Sequence, residues 1–157
     1  MKVEFINPFV MAAYNVLQQE INATIEKGTI SIEESSFVTQ EEVTILVGVT
    51  GQLQGVAIYS LSERTSKNIV SEMLHERIPI FDSMVESAIA EMGNVISGRA
   101  SAALEANGYI CNIAPPTVVI GRGVIISTVN IKKLVIPLST QFGAVRISVA
   151  LKEVIKL

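Results

Sequence analysis

The sequence predicts an α+β domain in which two long helices cover one face of a mainly antiparallel sheet. Two segments have helical apolar periodicity, and β-branched runs broken by turn residues follow each of them. The resulting order is helix, strands, short helix, helix, strands, which suggests two copies of one unit. We therefore predict a single domain over 1–157, built as a pseudo-twofold duplication of degenerate half-repeats at about 7–78 and 82–157.

The first half-repeat is predicted to begin with a helix and to continue as three strands. Asn7 and Pro8 are typical of an N-cap and a first helical residue, and the helix is expected to reach about Glu26 and stop near Gly28. Turn residues around Gly51 separate the last two strands. The predicted strands are 29–40, 43–50 and 53–60.

A short helix and then a long helix open the second half of the chain. Ser62 is expected to cap the short helix, which runs to about residue 75. Asp82 or Ser83 is expected to cap the long helix, and Asn107-Gly108 supplies its stop signal. The remaining strands are predicted over 109–113, 117–120, 124–129, 134–138 and 145–151. Because proline has no N–H to donate, Pro115-Pro116 must lie at a sheet edge or in a turn.

The long helix carries a polar stripe that packing alone does not explain. At about 100° per residue, positions spaced four and three apart fall on one face of a helix. The stripe consists of Ser87, Glu91, Asn94, Gly98, Ser101 and Glu105. The opposite, core-facing side is predicted to hold Val85, Ile89, Met92, Ile96 and Ala103. Glycine inside a helix costs about 1 kcal/mol relative to alanine, so we expect Gly98 to leave room for another molecule to approach closely.

Composition and charge exclude several classes of function. The net charge is −3 and there is no run of Lys or Arg, which argues against nucleic acid as the main partner. No apolar run is long enough to span a membrane, and the N-terminus lacks the apolar region of a signal peptide. A single cysteine, Cys111, suits a reducing cytoplasm, and the lone histidine offers no partner for a metal site. The high mean hydropathy of +0.47 suggests an apolar subunit interface.

The two predicted long helices share a short motif that is complete only in the second. Ala12-x2-Asn15 of the first helix corresponds to Glu91-x2-Asn94 of the second, and Val-Leu or Val-Ile follows each Asn. The first copy keeps the Asn but has alanine in place of the Glu. The complete carboxylate–carboxamide pair therefore occurs once.

Ser87-x3-Glu91-x2-Asn94, followed by Pro115 or Pro116, resembles the signature of the CheC/CheX/FliY phosphatases of bacterial chemotaxis. The segment Ile6-Asn7-Pro8-Phe9, the run Ile96-Ser97-Gly98 and the run Pro116-Thr117-Val118 are most similar to CheX. The resemblance spans essentially the whole chain and includes the single complete pair. One residue fewer separates Asn94 from Pro116 than is usual in the family, so the resemblance supports the pair more directly than the proline. It implies a CheC-like fold and a homodimer.

The resemblance also implies a reaction. Proteins of this kind hydrolyse the aspartyl phosphate of a CheY-like receiver domain, which itself supplies Mg²⁺ and a lysine, so no cofactor of this chain's own is expected. Asn94 would hold the attacking water in line with phosphorus, as a glutamine does in GTPases. Glu91 would dock on the receiver lysine. Ser87, Gly98 and Ser101 would contact the partner.

Three alternative readings of these residues stay open. Glu91 and Asn94 could be ordinary solvated residues of a helix surface. The chain could also be a non-enzymatic module of the same fold that binds a receiver or a component of the flagellar switch. A sensor of small ligands is the third alternative, although no motif for a ligand pocket is present in the sequence.

Overall fold

A computed structural model describes residues 2–154 as an α+β domain built on one large sheet. The helices are α1 (Asn7–Ile21), α2 (Glu63–Leu74) and α3 (Ser83–Ala106). The strands are β1 (Ile25–Lys27), β2 (Ser31–Glu33), β3 (Ser36–Val38), β4 (Val43–Gly51), β5 (Leu53–Leu61), β6 (Cys111–Ile113), β7 (Thr117–Ile120), β8 (Ile125–Ser127), β9 (Lys133–Thr140) and β10 (Gly143–Glu153). All the strand pairs described are antiparallel.

The strand order is symmetric about the centre of the sheet. The central strands β5 and β10 pair with each other, with Ala57 opposite Val149. In addition, β5 forms a hairpin with β4, and β10 forms a hairpin with β9. Beyond them, β6 and β7 of the second half pair with β4, while β1 and β2 of the first half pair with β9. The short strands β3 and β8 form a separate two-stranded sheet. A duplicated unit whose copies exchange edge strands would give this arrangement.

The main core lies between the sheet and the helices. Alternate residues of the four central strands point to this side, as the period-two geometry of a strand requires. They include Val43, Ile45, Val47, Ala57, Tyr59, Leu61, Ile136, Leu138, Val145, Ile147 and Val149. The helices α1 and α3 pack against each other, α3 also contacts β4, and α2 contacts both helices. None of the helices within residues 2–154 is long and apolar enough to cross a membrane.

The first helix is shorter than the sequence predicted. It ends at Ile21 because Asn22 adopts the left-handed conformation, with φ of 50°, and the chain then enters β1. The predicted end near Glu26 and the stop at Gly28 were therefore wrong. At the other end, Asn7 is the first helical residue rather than the N-cap, and a short 3₁₀ turn over Val3–Phe5 leads into the helix.

The caps of the other two helices are as predicted. The Ser62 hydroxyl accepts a hydrogen bond from the backbone N–H of Thr65 at 2.9 Å, which begins α2. The Asp82 carboxylate accepts from the N–H groups of Met84 and Val85 at 3.1 and 3.2 Å, and α3 begins there. Gly108, with φ of 95°, follows the end of α3.

The segments at the sheet edges differ most from the prediction. Residues 29–40 do not form one strand, because β2 pairs with β9 whereas β3 leaves to pair with β8. On the opposite edge, β6 and β7 lie end to end along β4, and Pro115-Pro116 occupies the gap between them. The prediction that these prolines lie at an edge is confirmed.

Candidate functional site

The inner side of α3 packs on the sheet and sets which residues face outward. Val85, Ile89, Met92 and Ile96 are buried, as predicted. Ala103 is exposed, and its placement in the core was wrong. The buried line continues from Ile96 in steps of four through Ala100 and Leu104, and Ala103 falls outside it.

The outer side of α3 presents the carboxylate and the carboxamide to solvent. Ser87 and Glu91 are exposed and Asn94 is partly exposed. Among residues 2–154, the side chains of Glu91 and Asn94 have no hydrogen-bond partner and no ion pair. Residues three apart on a helix have Cβ atoms about 5–6 Å apart, so the two groups can enter one pocket of another molecule together. We refer to Ser87, Glu91 and Asn94 as the α3 ridge.

Gly93 brings this part of α3 close to the sheet. A Cβ atom at this position would lie 3.0 Å from Cγ2 of Ile45 and 3.5 Å from Cδ2 of Tyr59. Ile45 belongs to β4 and Tyr59 to β5, so the helix rests on two central strands directly beneath the α3 ridge. The sequence contains a signal for this close approach, because Gly93 falls on the core-facing side of the helical repeat.

A buried hydrogen bond fixes the same turn of the helix. Oη of Tyr59 lies 2.7 Å from Oγ of Ser97, and both residues are fully buried. Burial raises the pKa of the Tyr59 hydroxyl far above its ordinary value, and the hydrogen bond to Ser97 offsets only part of that rise. The phenol therefore stays protonated at physiological pH. This bond ties α3 to β5 one turn beyond Asn94.

Removing this hydrogen bond from one side is expected to destabilise the fold. Ser97→Ala leaves a buried phenol hydroxyl without a partner, and we expect the free energy of unfolding to fall by about 1–3 kcal/mol. Tyr59→Phe should cost less, since a serine in a helix can donate to a carbonyl of the preceding turn. The double variant should lose less unfolding free energy than the sum of the losses in the two single variants, as measured by urea unfolding. Strictly additive losses would contradict a direct bond between the two hydroxyls.

Two further residues of the polar stripe face strand β6 of the same chain. A Cβ atom at Gly98 would lie 3.7 Å from Cδ1 of Ile113, an ordinary contact distance. The hydroxyl of Ser101 donates to the carbonyl oxygen of Cys111 at 3.0 Å. Ile113 thus borders one side of Gly98, which is itself half-buried. A partner contact at Gly98 or Ser101 stays a prediction.

An apolar groove of about 280 Å³ lies beside Glu91, where the three helices meet. Two carboxylates, Glu20 of α1 and Glu91 of α3, are the charged groups among its lining residues. The other lining residues are Val16, Leu17, Ile21, Ile69, Met73, Ala88, Met92 and Val95. We call this the three-helix groove.

The first helix offers no equivalent of the α3 ridge. Asn15 is exposed, but Ala12 is only 5% exposed and belongs to the main core. The position that corresponds in sequence to Glu91 therefore points into the protein. In the described part of the chain, the carboxylate–carboxamide pair is formed only on α3.

Known protein structures share the fold of this chain. A crystal structure of a CheC-like superfamily protein from Shewanella superimposes with a TM-score of 0.86, at 28% identity over 97% of this chain and 99% of that one. The domain is therefore a CheC-like α+β fold.

The family follows from two sequence matches. The model of the chemotaxis phosphatase CheX matches residues 43–139, which include the α3 ridge. The CheY-P phosphatase CheX of Thermotoga maritima is 31% identical over 123 residues, covering 78% of this chain and 79% of that protein. This chain belongs to the CheX family. It also resembles the CheX in a CheX–CheY–BeF₃–Mg²⁺ complex from Borrelia burgdorferi, with a TM-score of 0.76 and 25% identity over 97% of this chain and 100% of that one.

Proposed function

We propose that this protein is a phosphatase that hydrolyses the aspartyl phosphate of a CheY-like receiver domain. The observation that carries the proposal is the α3 ridge, where Glu91 and Asn94 project together from a fixed helix with no partner among residues 2–154. A CheX relative is a CheY-P phosphatase, and another was crystallised with CheY, BeF₃ and Mg²⁺. The buried Cys111 and such a substrate both suit the cytoplasm.

The chemistry requires positioning rather than a nucleophile on this chain. A water oxygen attacks phosphorus, the bond from phosphorus to the aspartyl oxygen breaks, and inorganic phosphate leaves. Asn94 accepts a hydrogen bond from the water through its carbonyl oxygen and holds it in line with the breaking bond. Glu91 pairs with the receiver lysine and sets how deeply α3 enters, while Ser87 contacts the receiver one turn away. Mg²⁺ belongs to the receiver, so the chain needs no cofactor of its own.

The direct test follows loss of phosphate from a phosphorylated CheY-like receiver. Receivers are phosphorylated with a small phosphodonor, the donor is removed, and decay is measured with and without the wild-type protein. We expect decay to accelerate in proportion to the amount of protein added. Tight binding of a beryllofluoride-loaded receiver without acceleration would instead support a non-enzymatic module.

We also propose that two copies of the chain associate through the small β3–β8 sheet. Three large apolar side chains in this region are mostly exposed: Ile32 at 66%, Val38 at 51% and Ile125 at 73%. Val38 and Ile125 face each other across the β3–β8 pair. Phe37 of β3 lies against Lys133 of β9, whose side chain is on the side of the sheet opposite the main core. A dimer formed here leaves the α3 ridge open.

Ile125→Glu is expected to weaken this association. A carboxylate placed in the interface would be desolvated in both copies, and we expect the dimer to weaken at least about tenfold. Sedimentation equilibrium over a range of concentrations measures the effect. Ile80→Glu is the matched control, because Ile80 is 68% exposed but lies between α2 and α3. Equal association of the two variants would place the interface elsewhere.

A further inference from the structure

The three-helix groove lies next to the α3 ridge but has no role in the proposed chemistry. Glu91 belongs to both, so a receiver docked on the ridge covers the mouth of the groove. At about 280 Å³ the groove is smaller than typical pockets for drug-sized ligands. Because a receiver docked on the ridge would close the groove, its position favours a side chain of the receiver over a separate small molecule.

The lining of the groove specifies the chemistry of that side chain. Leu17, Met73 and Val95 form an apolar wall, and the Glu20 carboxylate stands on the α1 side. Glu20 is exposed and has no ion pair among residues 2–154. A purely apolar occupant would leave this carboxylate without a partner, whereas a cationic occupant would pair with it. Lysine and arginine combine an aliphatic stem with a charged end, and they satisfy both requirements.

We propose that the three-helix groove receives a lysine or arginine from the receiver surface beside the phosphorylation site, and that Glu20 pairs with its charged end. This inference rests on the proposed function. Glu91 then engages the receiver's phosphorylation pocket while Glu20 engages the neighbouring surface. The groove contributes binding but no chemistry, so it selects among the receivers that present a basic side chain at this point.

Charge reversal at Glu20 tests the pairing. We expect Glu20→Lys to raise KM for the phosphorylated receiver about tenfold, because a like charge replaces an attractive one, and to leave kcat within about twofold. Glu105→Lys is the matched control, since Glu105 is exposed on α3 and lies 14 residues, or about 21 Å, along the helix from Glu91. Affinity for a beryllofluoride-loaded receiver should fall in the same way for Glu20→Lys and stay at the wild-type value for Glu105→Lys.

Filling the groove tests the apolar part of the contact. Ala88→Leu adds bulk to the wall, and we expect it to raise KM several-fold with kcat unchanged, while the thermal unfolding temperature stays within a few degrees of wild type. An effect of Ala88→Leu without an effect of Glu20→Lys would mean an apolar occupant and would overturn the proposal. Equal effects of Glu20→Lys and Glu105→Lys would also overturn it, because only the net charge would then matter.

Different results would refute the proposed phosphatase function and the proposed role of the groove. If the wild-type protein does not accelerate the dephosphorylation of any receiver, the proposed function is refuted, and the role of the groove is refuted with it. If the wild-type protein is active and both groove variants retain the wild-type KM, only the proposed role of the groove is refuted. The binding measurement with the beryllofluoride-loaded receiver separates these outcomes, because it does not depend on turnover.

Discussion

Replacing Asn94 with alanine is expected to lower the catalysed rate of dephosphorylation by about a hundredfold, which corresponds to about 2.7 kcal/mol of barrier height. The variant loses the carboxamide that we propose orients the water, while the helix that carries it keeps its contacts through Gly93 and Ser97. Affinity for the beryllofluoride-loaded receiver should change by no more than about twofold, since Glu91 and Ser87 still dock.

The matched control for this variant is Asn15→Ala. Asn15 is an exposed carboxamide on the other long helix, and its motif lacks the carboxylate. We expect the control to retain the wild-type rate. Rates are measured at saturating receiver, so that a change in affinity cannot be mistaken for a change in turnover. An Asn94→Ala protein that keeps the wild-type rate would remove the carboxamide from the mechanism.

Glu91→Ala is expected to weaken both binding and turnover, each by about tenfold or more. In the proposed docking the carboxylate pairs with the receiver lysine, and such charged hydrogen bonds contribute more than neutral ones. Without this pair the depth of the helix in the pocket is no longer fixed, so the water held by Asn94 is also misplaced. Titration with a beryllofluoride-loaded receiver and steady-state kinetics measure the two effects separately.

Two comparisons make the test of Glu91 specific. Glu91→Gln keeps the shape and the hydrogen-bonding oxygen, so it should fall between wild type and Glu91→Ala. Glu105→Ala removes an exposed carboxylate at the far end of the same helix and should behave as wild type. Loss of turnover with unchanged affinity in Glu91→Ala would assign this side chain to the chemistry rather than to docking.

The features that the sequence predicted correctly are those set by residues close together along the chain. The caps at Ser62 and Asp82 depend on hydrogen bonds to backbone groups two or three residues away. The inner and outer sides of α3 follow from the helical repeat, which holds as far as Ile96. The orientation of Glu91 and Asn94 toward solvent follows from the same repeat.

The features that the prediction missed depend on residues far apart in the sequence. Strand β1 replaces the last predicted turn of α1 because its residues pair with Leu138, Ser139 and Thr140 of β9. The hydrogen bond between Tyr59 and Ser97 joins residues 38 positions apart, and no local sequence pattern predicts it. Gly93 is needed only because Ile45 and Tyr59 lie beneath it. Tertiary packing overrides local preference at these positions.

The burial of Ala12 has an evolutionary consequence. A glutamate at this position would begin in the apolar interior, and burying its carboxylate there would cost several kcal/mol. A single substitution therefore cannot give the first helix its own exposed carboxylate–carboxamide pair, even though Asn15 is already in place. Residues 2–154 therefore offer one such pair for the proposed docking, and a second would require the first helix to rotate or shift as a whole.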